Sequence, residues 1–366
     1  MKIAILGTRG IPNRYGGFEQ FAEIVSQIWQ AEGHSVWVYC GHRHEYSERQ
    51  FKGVERISIF DPEYLFGTAG QFIYDLGCIM DARSRNFDVI LQLGYTSSSV
   101  WWPLLPNKPL IVTNMDGLEW KRSKYSPAVR KFLRYAESWA VKSSDQLIAD
   151  SPGIQRYIRD QYQKESAFIA YGSDIPEISN VSAHLSRYGL EAGEYNLLIA
   201  RFEPENNLEM ILEGIELAGY PRKTIVIGNA GNSFGKKLCQ RFRHASVIFP
   251  GAVYDKQCID ALRQNAHIYY HGHSVGGTNP SLLEAMAAGA FISAHDNIFN
   301  RAVLGELAIY FSSAEQIASQ QIDLPGIDRA ILSGKLKERI ISEFSWEKIS
   351  GEYLSVFEQF GGSEEV

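Results

Sequence analysis

The sequence is poor in the features that mark several classes of protein. Its 366 residues include only four cysteines, which lie far apart and form no CxxC pair. A disulfide framework or a zinc site is therefore not expected, and the thiols are predicted to be reduced. Basic residues do not predominate, because 36 Lys and Arg stand against 42 Asp and Glu. A protein that binds duplex nucleic acid is normally basic, so that partner is excluded.

Long hydrophobic runs are also missing. No window approaches the roughly 18 apolar residues that a transmembrane helix requires. Met1-Lys2 is followed by four apolar residues and then by Gly7, which is shorter than the apolar core of about 7–15 residues in a signal peptide. This segment instead predicts a first β-strand. We expect a cytoplasmic protein that at most associates with a membrane surface.

The first glycine-rich segment, Gly7–Glu19, lacks the GxGxxG spacing of a dinucleotide-binding loop. The second predicted strand ends in Cys40-Gly41-His42 and not in the acidic residue that would bind a ribose. A nicotinamide-dependent oxidoreductase is therefore disfavoured.

The composition is that of a globular protein, with 45% hydrophobic and 21% charged residues. The length favours two or three domains. Short apolar runs without alternation indicate strands that are buried on both faces, and the helical patterns between them indicate a doubly wound parallel sheet. The pattern restarts after a polar stretch at 174–194, which predicts two such domains joined near residues 172–190. The predicted strands are 2–6, 35–40, 89–93, 110–113, 146–149, 167–170, 197–200, 224–227, 247–249, 268–270 and 291–293, and the predicted helices include 18–31, 208–217, 280–288 and 346–360.

Charge is unevenly divided between the two halves. Residues 1–175 contain 20 basic and 19 acidic side chains, whereas the remainder contains 16 and 23. A broad anionic surface would therefore meet the first half more easily.

Three loops that follow predicted strands carry candidate chemistry, because ligands of doubly wound sheets bind at the carboxyl ends of strands. In the first loop, Gly16-Gly17 at a helix start would let a phosphate approach, and Arg9 and Arg14 add positive charge. A purely structural glycine loop is the alternative.

The second loop, His271–Ala287, combines glycines with Asn279 as a helix N-cap and Pro280 as the first helical residue. The amides around Thr278–Leu282 form a candidate anion site, and Glu284 lies one turn further on. His271 and His273 favour solvent or substrate contacts over metal binding.

The third loop begins with Arg201, directly after a predicted strand. Its guanidinium could bind phosphate oxygens. A salt bridge to Glu203 or Glu205 is the alternative.

Together these loops resemble the family-4 glycosyltransferases, which have the GT-B fold. The sequence is most similar to a bacterial rhamnosyltransferase-like branch with an N-terminal GTRGIP…YGGFE signature. The likeness covers nearly the whole chain and includes segments 7–19, 116–122, 171–174, 200–207, 274–287 and 299–301.

The resemblance implies two Rossmann-like domains that face a cleft: an acceptor-binding domain, 1–172, and a donor-binding domain, 173–345. It also implies a C-terminal helix in 346–366 that packs back on the first domain. The expected activity is a retaining transfer of a sugar from a nucleotide-diphosphate sugar, with dTDP-L-rhamnose as a plausible donor, to a glycan or polyprenyl-linked acceptor in bacterial surface polysaccharide synthesis. No metal and no cofactor are expected, and the location would be the cytoplasm or the inner face of the cell membrane.

The roles of individual residues follow by position in the motifs. Arg201 would contact the diphosphate, Glu284 a ribose-type hydroxyl, and Asp116 the acceptor or the oxocarbenium-like sugar, so these three are the catalytic candidates. An Asx-turn is the alternative for Asp116. The remaining donor-site candidates are Arg9, Gly16, Gly17, Asn206, Gly277, Thr278, Asn279 and Ser281, and the acceptor-site candidates are Arg14, Tyr15, Glu119 and Trp120.

Three positions depart from the family pattern. Gly276 replaces the first member of an acidic pair, Asn206 replaces a lysine, and Asp116 replaces a histidine. These departures bear on which donor sugar is bound, because the residues expected to bind the leaving diphosphate are still present. A catalytically silent sugar-nucleotide-binding or scaffold subunit is thus the second candidate function.

A basic amphipathic pattern spans 128–142, following Lys121–Lys124. Such a helix could lie on an anionic membrane, or simply have one solvated and one packed face. Its basic residues are Arg130, Lys131, Arg134 and Lys142, opposite Val129, Phe132, Leu133, Ala136 and Trp139.

Overall fold

A computed structural model of the chain describes residues 1–122, 125–322, 324 and 327–361. These form two compact units. The first contains Met1–Lys121, Tyr125–Tyr171 and the segment from Trp346 onward, and the second contains Gly172–Ser345 together with Arg122. Both units are α/β, as predicted.

The sheet of the first unit has the order β3-β4-β2-β1-β5-β6-β7-β8. All neighbours are parallel except β3 and β4, an antiparallel pair at the edge that the sequence patterns did not predict. The strands are β1 (Lys2–Leu6), β2 (Ser35–Gly41), β3 (Gln50–Phe51), β4 (Val54–Ile59), β5 (Val89–Leu93), β6 (Leu110–Asn114), β7 (Gln146–Ala149) and β8 (Ala167–Phe168).

The helices of the first unit begin and end as the local sequence dictates. Ser126 and Ser151 each accept a hydrogen bond from a first-turn amide, and each is followed by a proline at the first helical position. The helices are α1 (Gly17–Ala31), α2 (Glu63–Phe66), α3 (Gly70–Arg83), α4 (Pro127–Ser143), α5 (Pro152–Tyr162) and the C-terminal α14 (Trp346–Gly361).

The C-terminal helix α14 packs on α1 within the first unit. The Trp29 indole donates a hydrogen bond to the Ser350 carbonyl at 3.2 Å, and the rings of Phe21 and Tyr353 lie 4.9 Å apart. All three aromatic side chains are buried, and each contributes about 1.5–3 kcal/mol through burial. The buried face of α14 is therefore part of the first unit's core.

The second unit contains a six-stranded parallel sheet of order β11-β10-β9-β12-β13-β14. Its strands are β9 (Tyr195–Ile199), β10 (Lys223–Ile227), β11 (Val247–Gly251), β12 (Ile268–His271), β13 (Ile292–His295) and β14 (Ile309–Phe311). Its helices are α6 (Val181–Ser186), α7 (Leu208–Leu217), α8 (Ser233–Arg241), α9 (Lys256–Asn265), α10 (Pro280–Ala287), α11 (Ile298–Leu304), α12 (Ala314–Ile322) and α13 (Arg329–Glu343).

In this second sheet the chain builds outward from β9 to β11 and then returns to pair β12 on the other side of β9. Strand order therefore reverses between β9 and β12. A doubly wound sheet opens a crevice at such a point, beyond the carboxyl ends of the two strands.

Within the described part of the chain, no helix is both long enough and apolar enough to cross a bilayer.

Candidate functional site

Two of the predicted loops lie at the switch point of the second unit. Arg201 follows β9, and the glycine-rich segment from Gly272 to Asn279 follows β12. The carboxyl ends of these adjacent parallel strands bring the two loops to the same edge of the sheet.

Arg201 is held through its backbone while its side chain is exposed to solvent. The side-chain amide of Asn206 donates to the Arg201 carbonyl at 2.7 Å, and the backbone amide of Glu203 donates to the same oxygen at 2.8 Å. In the described chain no ion pair joins Arg201 to Glu203 or Glu205, so the alternative of a local salt bridge is wrong. The guanidinium is available to an anion.

Asn206, a predicted donor-site residue, is buried and closes the turn that carries Arg201. Its side chain thus acts on the backbone of this loop. A direct contact between Asn206 and a donor stays a prediction.

The two loops are hydrogen-bonded to each other. The Ser274 amide and hydroxyl donate to the Glu205 carbonyl at 3.0 and 2.8 Å, and the Asn207 amide donates to the Gly272 carbonyl at 2.7 Å. A Cβ on Gly272 would lie 2.0 Å from the Asn206 carbonyl oxygen. Only glycine therefore permits this approach of the two backbones.

Helix α10 begins as the sequence predicts. The Asn279 side chain accepts the Ser281 amide at 2.9 Å, and Pro280 is the first helical residue. The Leu282 backbone amide donates to the Asn279 carbonyl. The amides of Ser281 and Leu282 are therefore already hydrogen-bonded, and fewer amides than predicted remain to bind an anion. Gly276 and Gly277 precede the helix, and within the described residues their amides make no hydrogen bond.

Glu284 lies on α10 and is paired with a buried arginine that the sequence reading missed. Arg263 of α9 donates to Glu284 Oε2 at 2.7 Å and to the Ser281 hydroxyl at 3.0 Å. Asp260 pairs with the same guanidinium at 3.2 Å, and Lys256 pairs with Asp260 at 2.6 Å. Two cations and two carboxylates thus balance in one network.

Arg263 is only 2% exposed, so its charge is stable there because the two carboxylates and a hydroxyl surround it. The signal was available in the sequence, since an arginine three residues after an aspartate in an amphipathic helix is a possible ion pair. Its partner on α10 could not be foreseen without the fold. Ser281 is also bonded to the Tyr269 hydroxyl at 3.1 Å.

The two histidines after β12 are stacked, with ring centroids 4.4 Å apart. Burial lowers the pKa of His271 well below its usual range, with smaller contributions from His273 and Arg263. Burial, and next the charge of Arg201, lowers the pKa of His273 to about 3. Both rings are therefore neutral at neutral pH. His271 is 1% exposed, so the expectation of a solvated ring is wrong for it.

The glycine loop is further fixed by Asn297 and Asn300 at the start of α11. The amides of Asn297 and Asn300 donate to the His273 carbonyl at 2.9 and 3.0 Å. Arg301, the next residue of that motif, forms a bidentate pair with Asp296 on the surface.

In the first unit, the loop after β1 is fixed by a close backbone approach. A Cβ on Gly7 would lie 2.2 Å from the Leu93 carbonyl oxygen, and Gly7 has a φ of +86°. Gly16 caps α1, and Gly17 is its first residue. Helix α1 therefore begins at Gly16-Gly17, as predicted.

Arg9 is already paired within this unit. Its guanidinium donates to both Glu63 oxygens at 2.9 and 2.7 Å and stacks over the Tyr15 ring at 3.6 Å. Arg14 and Glu45, both exposed, approach to 3.5 Å. The charge of Arg9 is thus largely compensated, which weakens the expectation that it neutralises a phosphate.

Asp116 follows β6 with a left-handed φ of 51°. The Asx-turn at this point belongs to Asn114, whose side chain accepts the Asp116 amide at 3.0 Å. The Asp116 carboxylate is half-buried and makes no hydrogen bond within the described residues. The turn alternative therefore does not explain its side chain.

Trp120 is held by a buried carboxylate, Glu137 of α4. The indole donates to Glu137 at 3.2 Å, and the Arg134 guanidinium lies 4.2 Å from the ring centroid. Glu137 also accepts from the hydroxyls of Tyr157 and Tyr162 at 2.7 and 2.6 Å. The nearby Glu119 accepts from the Tyr125 hydroxyl at 3.4 Å.

Helix α4 has the predicted solvated face in part, because Lys131, Arg134 and Lys142 are exposed, as is Tyr135, whereas Arg130 is half-buried. Val129, assigned to the packed face, is exposed. Ser123 and Lys124 of the preceding basic stretch lie outside the described residues.

A cavity of about 850 Å³ opens at the opposite, amino-terminal edge of the first sheet. Two of its cations are already engaged, because Arg83 donates to the Leu104 carbonyl and Arg85 pairs with Asp81. It contains none of the predicted site residues.

Comparison with protein families gives one match. A domain of unknown function, DUF1972, matches residues 1–91 and 107–174. No curated protein matches the chain.

Among solved structures, the chain is similar to a sucrose-phosphate synthase from Thermosynechococcus elongatus, with a TM-score of 0.80, 17% identity and 98% of each chain covered. It is also similar to HepE from Anabaena in complex with UDP and glucose, with a TM-score of 0.76, 14% identity and 98% and 99% of the two chains covered. A glycosyltransferase from Rickettsia africae gives a TM-score of 0.73 at 12% identity over 99% of each chain. These likenesses confirm the predicted GT-B fold of two parallel-sheet α/β units.

Proposed function

We propose that the chain is a glycosyltransferase that moves a sugar from a nucleoside-diphosphate sugar to an acceptor hydroxyl. The observation that carries this proposal is the switch point of the second unit. There the exposed Arg201 lies on a loop bonded to the glycine segment that opens α10, and Glu284 is fixed one turn into that helix.

The costly step is departure of the nucleoside diphosphate from the anomeric carbon. Arg201 and the amides before α10 would bind the leaving phosphates, while Glu284 would accept a ribose hydroxyl. Loss of one preorganised donor in comparable sites costs about 2.7–4 kcal/mol. Arg201→Ala is therefore expected to lower turnover about 100-fold or more.

The reaction proposed is retaining and independent of a metal ion. An acceptor hydroxyl would attack from the face that the diphosphate leaves, and the leaving phosphate would take the proton. The half-buried Asp116 carboxylate would position the acceptor or stabilise the positive charge that develops on the sugar.

The N-terminal signature Gly7–Glu19 supports a rhamnosyl donor, dTDP-L-rhamnose, and a role in bacterial surface polysaccharide synthesis. Gly16 and Gly17 would face the donor phosphates. Tyr15 and Arg14, which are exposed, and Glu119 and Trp120 would meet the acceptor glycan.

A polyprenyl-linked acceptor would bring the enzyme to the inner face of the cell membrane. Helix α4 supports this part of the proposal, because Lys131, Arg134 and Lys142 are exposed on it, together with Tyr135, which is 52% exposed. Such a face suits an anionic surface. Binding to anionic vesicles that weakens with salt is expected, whereas failure to bind them at any salt concentration would reject it.

The test begins with thermal shifts in the presence of UDP-, dTDP- and GDP-sugars and of NAD(P). A sugar nucleotide should raise the melting temperature and NAD(P) should not. Consumption of the stabilising donor with a lipid-linked acceptor then measures transfer. Stabilisation by NAD(P) alone would refute the assignment.

A subunit that binds a sugar nucleotide without transferring it is the second candidate. Gly276 and Asn206 favour it, because both stand where the resembled family has charged residues. Donor binding without any donor consumption would select this function.

A further inference from the structure

A cluster of three potential metal ligands lies in the second unit, on helices α6 and α9. The donor atoms of His184, Asp255 and Cys258 all fall within 4.8 Å of one another. None of the three belongs to the loops at the switch point, and the proposed transfer uses none of them.

Two of the ligands are fixed on the same helical turn. Asp255 is the N-cap of α9, and one of its carboxylate oxygens accepts the Cys258 amide at 3.2 Å. This bond holds the Asp255 carboxylate beside the Cys258 thiol, and the second carboxylate oxygen remains for a metal ion. His184 approaches from α6, which packs against α9.

We propose that His184, Asp255 and Cys258 bind a divalent transition-metal ion, zinc in the first instance, which ties α6 to α9. One nitrogen, one oxygen and one sulfur donor suit the borderline character of zinc and do not suit magnesium or calcium, which prefer oxygen ligands alone. Carboxylate and thiolate together balance the charge of the ion. A water molecule would fill the fourth position.

The thiol must lose its proton when the ion binds. Burial, and also the charge of Asp255, raises the pKa of the Cys258 thiol in the metal-free protein, whereas the Tyr188 hydroxyl and the Arg187 charge act against that increase. The sulfur–metal bond replaces the S–H bond, and one proton passes to solvent for each ion bound. Entry is open from the outside, because Asp255 is exposed and His184 is half-buried.

The ion would stabilise a weak part of the fold. Helix α6 has six residues, and its N-cap Asn180 makes no side-chain capping bond. The preceding segment is attached to α9 through Gln257, which bonds the Ser179 amide and the Glu177 carbonyl. A metal bridge through His184 would add a second attachment between this region and α9.

The test uses the full chain with zinc or cobalt alone. Equilibrium dialysis should give one zinc ion per chain. Cobalt should produce a near-ultraviolet sulfur-to-cobalt charge-transfer band that disappears in Cys258→Ser and persists in the matched control Cys239→Ser, since Cys239 is a free, partly buried thiol on α8. His184→Ala should weaken zinc binding at least about 10-fold and abolish the zinc-induced rise in melting temperature.

Absence of stoichiometric zinc binding would overturn the proposal, as would a cobalt band that survives Cys258→Ser. The site is separate from the transfer proposal, because sugar-nucleotide binding should be the same in Cys258→Ser and in the natural sequence.

Discussion

The buried network around Arg263 allows a quantitative test of the second unit. Arg263→Met removes a guanidinium that contacts Asp260 at 3.2 Å and Glu284 at 2.7 Å. Asp260 is buried, and the Glu284 side chain is only 25% exposed. Breaking a buried pair by removing one partner costs about 3–5 kcal/mol. We expect the free energy of unfolding to fall by about this amount.

The position of the tryptophans separates the two units in the assay. All seven tryptophans of the chain lie in the first unit, so their fluorescence follows that unit, whereas far-ultraviolet circular dichroism follows both. In urea, Arg263→Met should lower the midpoint of the circular-dichroism transition. A shift confined to tryptophan fluorescence would contradict the assignment of the loss to this network.

A matched variant guards against nonspecific disruption. Arg263→Met combined with Asp260→Asn and Glu284→Gln removes the buried guanidinium together with both carboxylates and leaves only the exposed Lys256 charged. No buried charge is then left without its partner, so the cost should be much smaller than that of Arg263→Met alone. The triple variant should recover most of the free energy of unfolding that Arg263→Met loses. It should still bind a nucleotide more weakly than the natural sequence, because the residue at position 284 is no longer an anion. A loss below about 1 kcal/mol for Arg263→Met alone, typical of an exposed pair, would refute the reasoning.

Three further predictions address other parts of the chain. Burial raises the pKa of Asp75 to about 6, with Asp61 raising it further and Ser97 and Arg9 opposing. Its contribution to stability is therefore greatest below about pH 4 and is lost as the pH rises through 6. Asp75→Asn should raise the free energy of unfolding by about 2–3 kcal/mol at pH 7 and should leave it unchanged below pH 4. Urea titrations in which the difference in free energy of unfolding between the variant and the natural sequence does not vary with pH would contradict this. Gly272→Ala should destabilise the fold by about 1–3 kcal/mol because of the contact with the Asn206 carbonyl, whereas Gly334→Ala, in open space on α13, should be neutral or stabilising in the same measurement. Asp116→Asn should lower turnover about 100-fold or more if the carboxylate acts in the reaction, and unchanged kinetics would exclude the carboxylate from the reaction.

Much of the fold was predictable because buried parallel strands are written as continuous apolar runs. Strands β1, β5 and β7 and helix α7 have the predicted bounds. The β3–β4 pair escaped prediction because Gln50 and Phe51 form a two-residue edge strand with no periodicity. Strand β14, which was not predicted either, has only three residues.

The site was predictable where it depends on local chemistry and not where it depends on tertiary contacts. The cap at Asn279 and the position of Arg201 after β9 follow from a few adjacent residues. The pairing of Arg9 with Glu63 joins residues 54 positions apart, and that of Arg263 with Glu284 joins two helices. No spacing rule reveals such partners, and both change which charges a phosphate would meet.

The second half of the chain carries the excess of negative charge, yet the proposed donor is a polyanion. Asp260 and Glu284, which lie beside the glycine loop, are compensated by Lys256 and Arg263 and so add no net negative charge there. Recognition would rest on Arg201 and on backbone amides at short range.

The most direct test of this account compares the affinity of UDP and dTDP with that of their monophosphates, by titration calorimetry, in the natural sequence and in Arg201→Ala. If Arg201 binds the diphosphate, the natural protein should prefer the diphosphates by about 10- to 100-fold, the value of one charge-assisted hydrogen bond, and the variant should lose that preference. A natural protein that binds neither nucleotide, or a variant that keeps the full preference, would contradict the account.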